Sequence, residues 1–167
     1  MIYVSQVFKN NLYVVVSYLS LYSEGETDWN QTLLNMDIDK LIYDCIGASM
    51  QVYNHLGPGL LETIYEKALT YELTERGFKV NTQVNIDIKY KGVVLDTDLR
   101  LDLIVEDTLI IELKSVEKLA PVHFKQLRTY MKLLDKPAAL LINFNVADFN
   151  TGFKVLKREN TCDTLGQ

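Results

Sequence analysis

The chain has 167 residues, 48% of them hydrophobic and 23% charged, which fits one folded domain with or without a short extension and excludes a disordered chain. Its net charge of −5, from 17 basic and 22 acidic residues, argues against a protein that coats nucleic acid by bulk charge. It leaves open an enzyme that handles nucleic acid in an acidic, metal-lined cleft.

Residues 1–35 stand apart. They carry Lys9 as their sole cation, with Glu24, Glu26 and Asp28. Their apolar stretch Leu12–Tyr22 falls short of the ~20 residues a transmembrane helix needs, so no membrane association is expected. A secretory signal fits poorly, because no small-x-small cleavage site follows. Tyr13–Tyr18 is rich in β-branched and aromatic residues and predicts at most one strand. The expectation is an N-terminal extension, either an over-called start ahead of Met36 or a dispensable arm. Cys45 and Cys162 suit neither a disulfide framework nor a zinc spacing, so the expected setting is reducing and cytoplasmic.

From Met36 the patterning is regular. Asp37 or Asp39 reads as a helix cap, and apolar residues from Leu41 to Leu56 recur at helical spacing, predicting a helix over 39–56. Gly57-Pro58-Gly59 stops it. A second helix is predicted over 60–76, with Leu61, Ile64, Tyr65, Ala68, Leu69 and Leu73 inward. The period then becomes two: Val84, Ile86, Ile88 and Tyr90 predict a strand, Lys91-Gly92 a turn, and 93–105 a second strand. Leu109–Ser115 is a third. Pro121 suits the first turn of a helix over 122–134, with Phe124, Leu127, Met131 and Leu134 inward. Ala138–Phe144 is almost wholly apolar and reads as an interior strand, and 152–157 as an edge strand. The tail 159–167 is polar. The order α-α-β-β-β-α-β, with the edge strand after it, predicts an α/β (α+β) domain with one mixed sheet flanked by helices.

Chemistry concentrates at Asp102, Glu112 and Lys114. Alternate strand residues share a face, so Glu112 and Lys114 point the same way. In an antiparallel hairpin the numbers of paired residues sum to a constant. Asp102 faces Glu112 when that sum is 214, which requires a three-residue loop at Glu106-Asp107-Thr108; an even two-residue loop puts them on opposite faces. Two close carboxylates in an apolar sheet need compensation. Mg²⁺ or Mn²⁺ supplies it, activates water and stabilises phosphate charge, and a neighbouring ammonium assists. A structural ion-pair cluster is the ordinary alternative for so short a pattern.

Residues Met36 to about Arg158 resemble the GxxExxY protein family of the PD-(D/E)XK nuclease-like superfamily. The resemblance rests on GPGLLETIY (Gly57–Tyr65), RLDLIV (Arg100–Val105), IIELKSVEKL (Ile110–Leu119), PVHFKQLRTYMKL (Pro121–Leu133) and LLINF (Leu140–Phe144). It implies an αβββαβ core with an extra N-terminal helix. It also implies that Asp102, Glu112 and Lys114 fill the D…E-x-K positions, with Asp102 and Glu112 the metal ligands. Gln126 and Tyr130 are similar to the Q-x-x-x-Y element of RecB-type members.

Glu62 has two readings: a further acid supporting the metal, or a capping-box residue at N3 behind an N-cap Gly59. Tyr65 is expected to pack inward and tether a site residue by its hydroxyl. Arg100, on the strand face of Asp102, suits a phosphate or a structural salt bridge. Gln126 and Tyr130, stacked four apart, suit positioning of Lys114 or of a nucleic-acid strand. Lys125, Arg128, Lys132 and Lys136 form a stripe that either tracks a phosphate backbone or is a solvated helix face. His55 and His123 have no assignable partner. The chemistry expected is metal-dependent hydrolysis of DNA or RNA phosphodiesters. The alternatives are a nuclease-like module that binds nucleic acid or protein without cutting, and an accessory subunit.

Overall fold

The computed structural model describes residues 29–95 and 97–158, with side chains from Asp37 onward. The strand expected at Tyr13–Tyr18 and the tail from Glu159 lie outside the described residues. The architecture below belongs to the compact unit Asn35–Gln167, apart from the first turns of its leading helix.

That helix, α1, runs Trp29–Leu56. The expected start at Asp37 or Asp39 is therefore wrong. No Gly or Pro interrupts the sequence between Trp29 and Asp37, so the helix continues through both acids, which stay exposed; Asp39 pairs with Lys157. Its end is as expected: Gly57, at φ 70°, donates its N–H to Tyr53 O (2.8 Å). Helix α2 is Glu62–Glu75, with Leu61 as N-cap. Glu62 thus stands at N1 and not at N3, which removes the capping-box reading. The inner stripe narrows to Tyr65, Leu69 and Leu73, while Leu61 and Ile64 are exposed.

The strands are β1 (Val80–Asn85), β2 (Ile88–Tyr90), β3 (Val93–Leu95), β4 (Arg100–Val105), β5 (Leu109–Lys114), β6 (Ala138–Asn143) and β7 (Phe153–Lys157); α3 (Pro121–Leu133) joins β5 to β6. The strand expected over 84–90 and the strand expected over 93–105 are each broken. Residues 88–95 fold as a separate hairpin around Lys91-Gly92, whose φ values of 50° and 84° suit a tight primed turn. Ile86 N–H bonds Leu99 O (2.9 Å) and Thr97 Oγ1 bonds Ile86 O (3.3 Å), closing the neck of this insertion. The main sheet then pairs β1 directly with β4, in the order β1-β4-β5-β6-β7, with β5–β6 parallel and the other pairs antiparallel.

Two apolar layers cover the sheet. Helices α1 and α2 pack on Leu103, Val105, Leu109, Ile111, Leu113, Leu140 and Ile142. Helix α3 packs on Ile104, Ile110, Ala139, Leu141 and Leu156 through Leu127, Tyr130 and Met131. Phe124 and Leu134 border that second layer as partly buried residues. Strand β6 is buried along its whole length, as an interior parallel strand must be.

Candidate active site

The β4–β5 hairpin fixes the site. Its register pairs Leu103 with Ile111, Ile104 with Ile110 and Val105 with Leu109, so each pair sums to 214, as the parity argument requires. Glu106 and Asp107 both adopt positive φ (52° and 51°), and Thr108 N–H closes the turn on Val105 O (3.0 Å). That register puts Glu112 on the α3 face with Ile110 and Ile104, and brings Asp102, one residue beyond the last pair, alongside the end of β5, where the Leu113 N–H bonds it.

Each carboxylate there is held through one oxygen. Leu113 N–H donates to Asp102 Oδ2 (2.8 Å). Lys114 Nζ donates to Glu112 Oε1 (2.7 Å) and to Leu113 O (2.9 Å). Ser115 N–H donates to Glu62 Oε1 (2.9 Å). Gln83 Nε2 donates to Glu66 Oε2 (2.5 Å). Glu112 is only 4% exposed, and its Oε2 is buried with no hydrogen-bond partner. An orphaned carboxylate oxygen in a dry site costs on the order of 1–3 kcal/mol or more.

The electrostatics follow from burial. Desolvation, then the charge of Asp102, push the Glu112 carboxyl from 4.5 up to about 7, more than the Lys114 ammonium pulls it back. Burial also raises Asp102, offset in part by the Leu113 N–H and by Lys114, while Glu66 and Glu62 push it up further. For Lys114 burial works downward, but its hydrogen bond and the charge of Glu112, then Asp102 and Glu62, prevail and raise it. One ammonium thus serves several acids, and the site is short of positive charge.

The motif around Gly59 works as a staple. Tyr65 is fully buried, stacks on Phe144 (centroids 4.3 Å, planes 4° apart), donates its hydroxyl to Gly57 O (2.7 Å) and accepts from Leu60 N–H (3.1 Å). Ser115 Oγ donates to Leu60 O (2.6 Å). Glu62 and Tyr65 together bind the Gly57–Leu60 loop to the exit of β5. Tyr65 tethers a backbone loop, not the side chain of a site residue.

On α3, Gln126 Nε2 donates to the Tyr130 hydroxyl, and burial first, with a smaller contribution from Glu112, raises the phenol. Tyr130 thus lies within electrostatic reach of Glu112 and Asp102, with Gln126 bonded to it. Arg100 is exposed. Lys125 and Arg128 project on the outer side of α3. His123 has a partner after all: its Nδ1 accepts the Ala120 N–H (3.2 Å) and closes the helix start.

Three residues escaped the sequence reading. Glu66 lies one turn after Glu62, and that i,i+4 spacing was the available signal. Its partner Gln83 takes φ 51° inside β1, between the pairs Thr82–Leu103 and Val84–Leu101, which places it beside Asp102. Asn143, the polar residue in the apolar run of β6, is 2% exposed; its Nδ2 donates to Val116 O (2.7 Å) and its Oδ1 accepts from Val116 N–H (3.0 Å). Asn143→Leu strips these bonds, and that from Asn145 N–H to Asn143 Oδ1 (3.2 Å), from a half-buried loop and is expected to cost about 2–3 kcal/mol, read as a lower urea midpoint at unchanged slope.

Among the described residues no three His, Cys, Asp or Glu side chains converge on one point. The acidic pair at this end of the sheet is Asp102 and Glu112, close enough for the Asp102 charge to raise the Glu112 carboxyl. It fits a hard cation that keeps several waters, and Glu112 Oε2 lacks only such a partner. No helix among the described residues is long and apolar enough to cross a membrane.

No curated protein and no solved structure matches the chain. Residues 39–156 match the PD-(D/E)XK nuclease superfamily, a span that holds the five-strand mixed sheet and its acidic centre, and the chain belongs to that superfamily.

Proposed function

We propose that this protein is a Mg²⁺- or Mn²⁺-dependent nuclease of the GxxExxY type that hydrolyses phosphodiester bonds in DNA or RNA. The observation that carries the reading is the buried, unpartnered Glu112 Oε2 beside Asp102, in a site with too little positive charge of its own. Asp102 and Glu112 are the residues that would hold the cation. When bound, it lowers the pKa of a water and stabilises charge on phosphate oxygens.

The chain supplies the rest. Lys114 spends two of its three protons on Glu112 and Leu113 and presents the third to the attacking water and the developing phosphate charge. Water adds to phosphorus, the P–O bond to the leaving group breaks, and the leaving oxygen takes up a proton. Glu62 fixes the β5 exit through Ser115 and so keeps Lys114 in register with Glu112. Gln126 and Tyr130 orient the substrate from the α3 side, and Arg100, Lys125 and Arg128 contact its phosphates.

The test is incubation of the full chain with plasmid DNA and with structured RNA, in Mg²⁺, Mn²⁺ or EDTA. Cleavage of at least one polymer with metal and none in EDTA is expected. Cleavage undiminished by EDTA, or no cleavage of either polymer with either metal, overturns the reading.

A further inference from the structure

Helix α3 carries Lys125, Arg128 and Lys132 and no acidic residue, in a chain with 22 acids. Its inner side buries Leu127, Tyr130 and Met131, and the three cations stand exposed on the other. Arg128 and Lys132 are four apart, a spacing at which like charges weaken a helix. Neither has an acidic partner among the described residues. The arrangement opposes the fold of the free protein and serves no side-chain ion pair among the described residues, so an external anion is the natural compensation.

These cations are one wall of a built feature. Arg128, Lys132 and Asp135 of α3 and the turn after it, and residues 156–158 at the end of β7, line an open cleft of about 490 Å³ floored by Met131 and Leu156. Arg158 Nη1 holds Asp135 (2.7 Å), while the Lys157 ammonium turns to the other face of the sheet and pairs with Asp39 on α1, so three cations, Arg128, Lys132 and Arg158, stand against one carboxylate in the cleft. The cleft is separate from the acidic centre. Lys157 lies opposite Ala138 on β6, three residues from Leu141, which is level with Glu112 on β5. At ~3.3 Å per residue and ~4.8 Å per strand, the separation is on the order of 15 Å. Phosphates along one strand of a duplex advance ~3.4 Å each, so this spans about four to five nucleotides.

The geometry points to a second phosphate site in the cleft between α3 and β7, where Arg128, Lys132 and Arg158 grip a nucleic-acid backbone about four to five nucleotides from the bond that is cut. It rests on the nuclease reading above for its polymer, but its grip needs no metal. Backbone contacts by exposed cations carry no base information, so the grip is independent of sequence.

The experiment measures affinity in EDTA, where nothing is cut, for fluorescent DNA and RNA of about 30 nucleotides, single- and double-stranded, over a range of salt. Lys132→Glu with Arg158→Gln is expected to weaken binding about tenfold or more and to lower the salt slope by about two. Lys67→Glu, on α2 across the sheet, changes the net charge comparably and is expected to leave the slope nearly unchanged. Metal-induced thermal stabilisation, read in parallel, is expected to persist in the cleft variant and establishes that it folds. Lys132→Gln alone, which breaks no ion pair, is expected to lower the slope by about one. Unchanged slopes in both cleft variants, or an equal loss in Lys67→Glu, overturn the proposal while leaving a cleaving wild type intact. Cleft-dependent binding by a wild type that never cuts leaves the second site standing and removes the nuclease.

Discussion

Glu112→Gln is expected to abolish metal-dependent cleavage, by about 10³-fold or more, and to raise the melting temperature of the metal-free protein at pH 8. The first effect follows from the several kcal/mol a properly held cation contributes to the transition state, at 1.36 kcal/mol per tenfold. The second follows from the orphaned Oε2 and from a carboxyl whose pKa burial and Asp102 lift to about 7. At pH 8 the wild-type carboxylate is ionised in the folded state at a cost. Gln removes the charge, keeps the shape, and still offers Lys114 an oxygen to bond. Lys114 loses its strongest partner, but Asp102 and Glu62 still favour its charge. The net gain expected is about 1–2 kcal/mol in EDTA. Adding Mg²⁺ should raise the melting temperature of wild type and not of the variant, so the order of the two converges or inverts with metal. Calorimetric titration checks the same point directly. A variant that binds Mg²⁺ and cleaves like wild type removes the mechanism, and one that melts lower in EDTA removes the claim that Glu112 is held at the expense of the fold.

That opposition of site and fold explains what the sequence disclosed. Strand β5 was legible because Leu109–Lys114 is apolar except where chemistry intrudes, and two charges at alternate positions in such a run have to share one face. The register of the hairpin that carries Asp102 and Glu112 was legible from integer arithmetic, because a hairpin's parity depends only on where its turn is centred. The β2–β3 insertion was not. Ile88 and Tyr90 continue the alternation of Val84 and Ile86, so a period of two runs unbroken through the place where the chain leaves the sheet. Only the long-range bonds from Ile86 to Leu99 and Thr97 mark the neck. The role of Glu62 was half legible. Its place near a helix start suggested a capping box, but the helix begins at Glu62 itself and the carboxylate is spent on Ser115, far away in sequence. Glu66 and Gln83 form a pair between elements, and nothing in either segment alone announces it.

The free protein is expected to lose stability as pH rises from about 4.5 to about 7, the reverse of the usual acid-denaturation limb. Glu112 has a folded pKa of about 7 against an ordinary value of 4.5. Between those values the folded state holds a proton that the unfolded state has released, so unfolding becomes easier with each pH unit. The stabilisation is fully present below 4.5 and gone above about 7, and for a carboxyl this buried it amounts to about 3 kcal/mol. Asp102, also raised, acts in the same direction. Lys114 does not interfere, because its raised pKa is lost only at alkaline pH. Cys45, buried and pushed up to about 12, adds a separate decline above its ordinary 9.0. Urea titrations in EDTA across pH 4.5 to 8 check the slope, and Glu112→Gln should flatten it. Mg²⁺ should invert it, since binding requires the deprotonated carboxylates and so strengthens with pH until Glu112 has fully ionised. The same proton then limits catalysis: at subsaturating Mg²⁺ the cleavage rate should climb through an apparent pKa below 7, because the cation displaces the proton more readily than water does. A free protein whose stability rises across this window would mean that Glu112 is ionised at no cost, and the burial argument for a cation seat would fall with it.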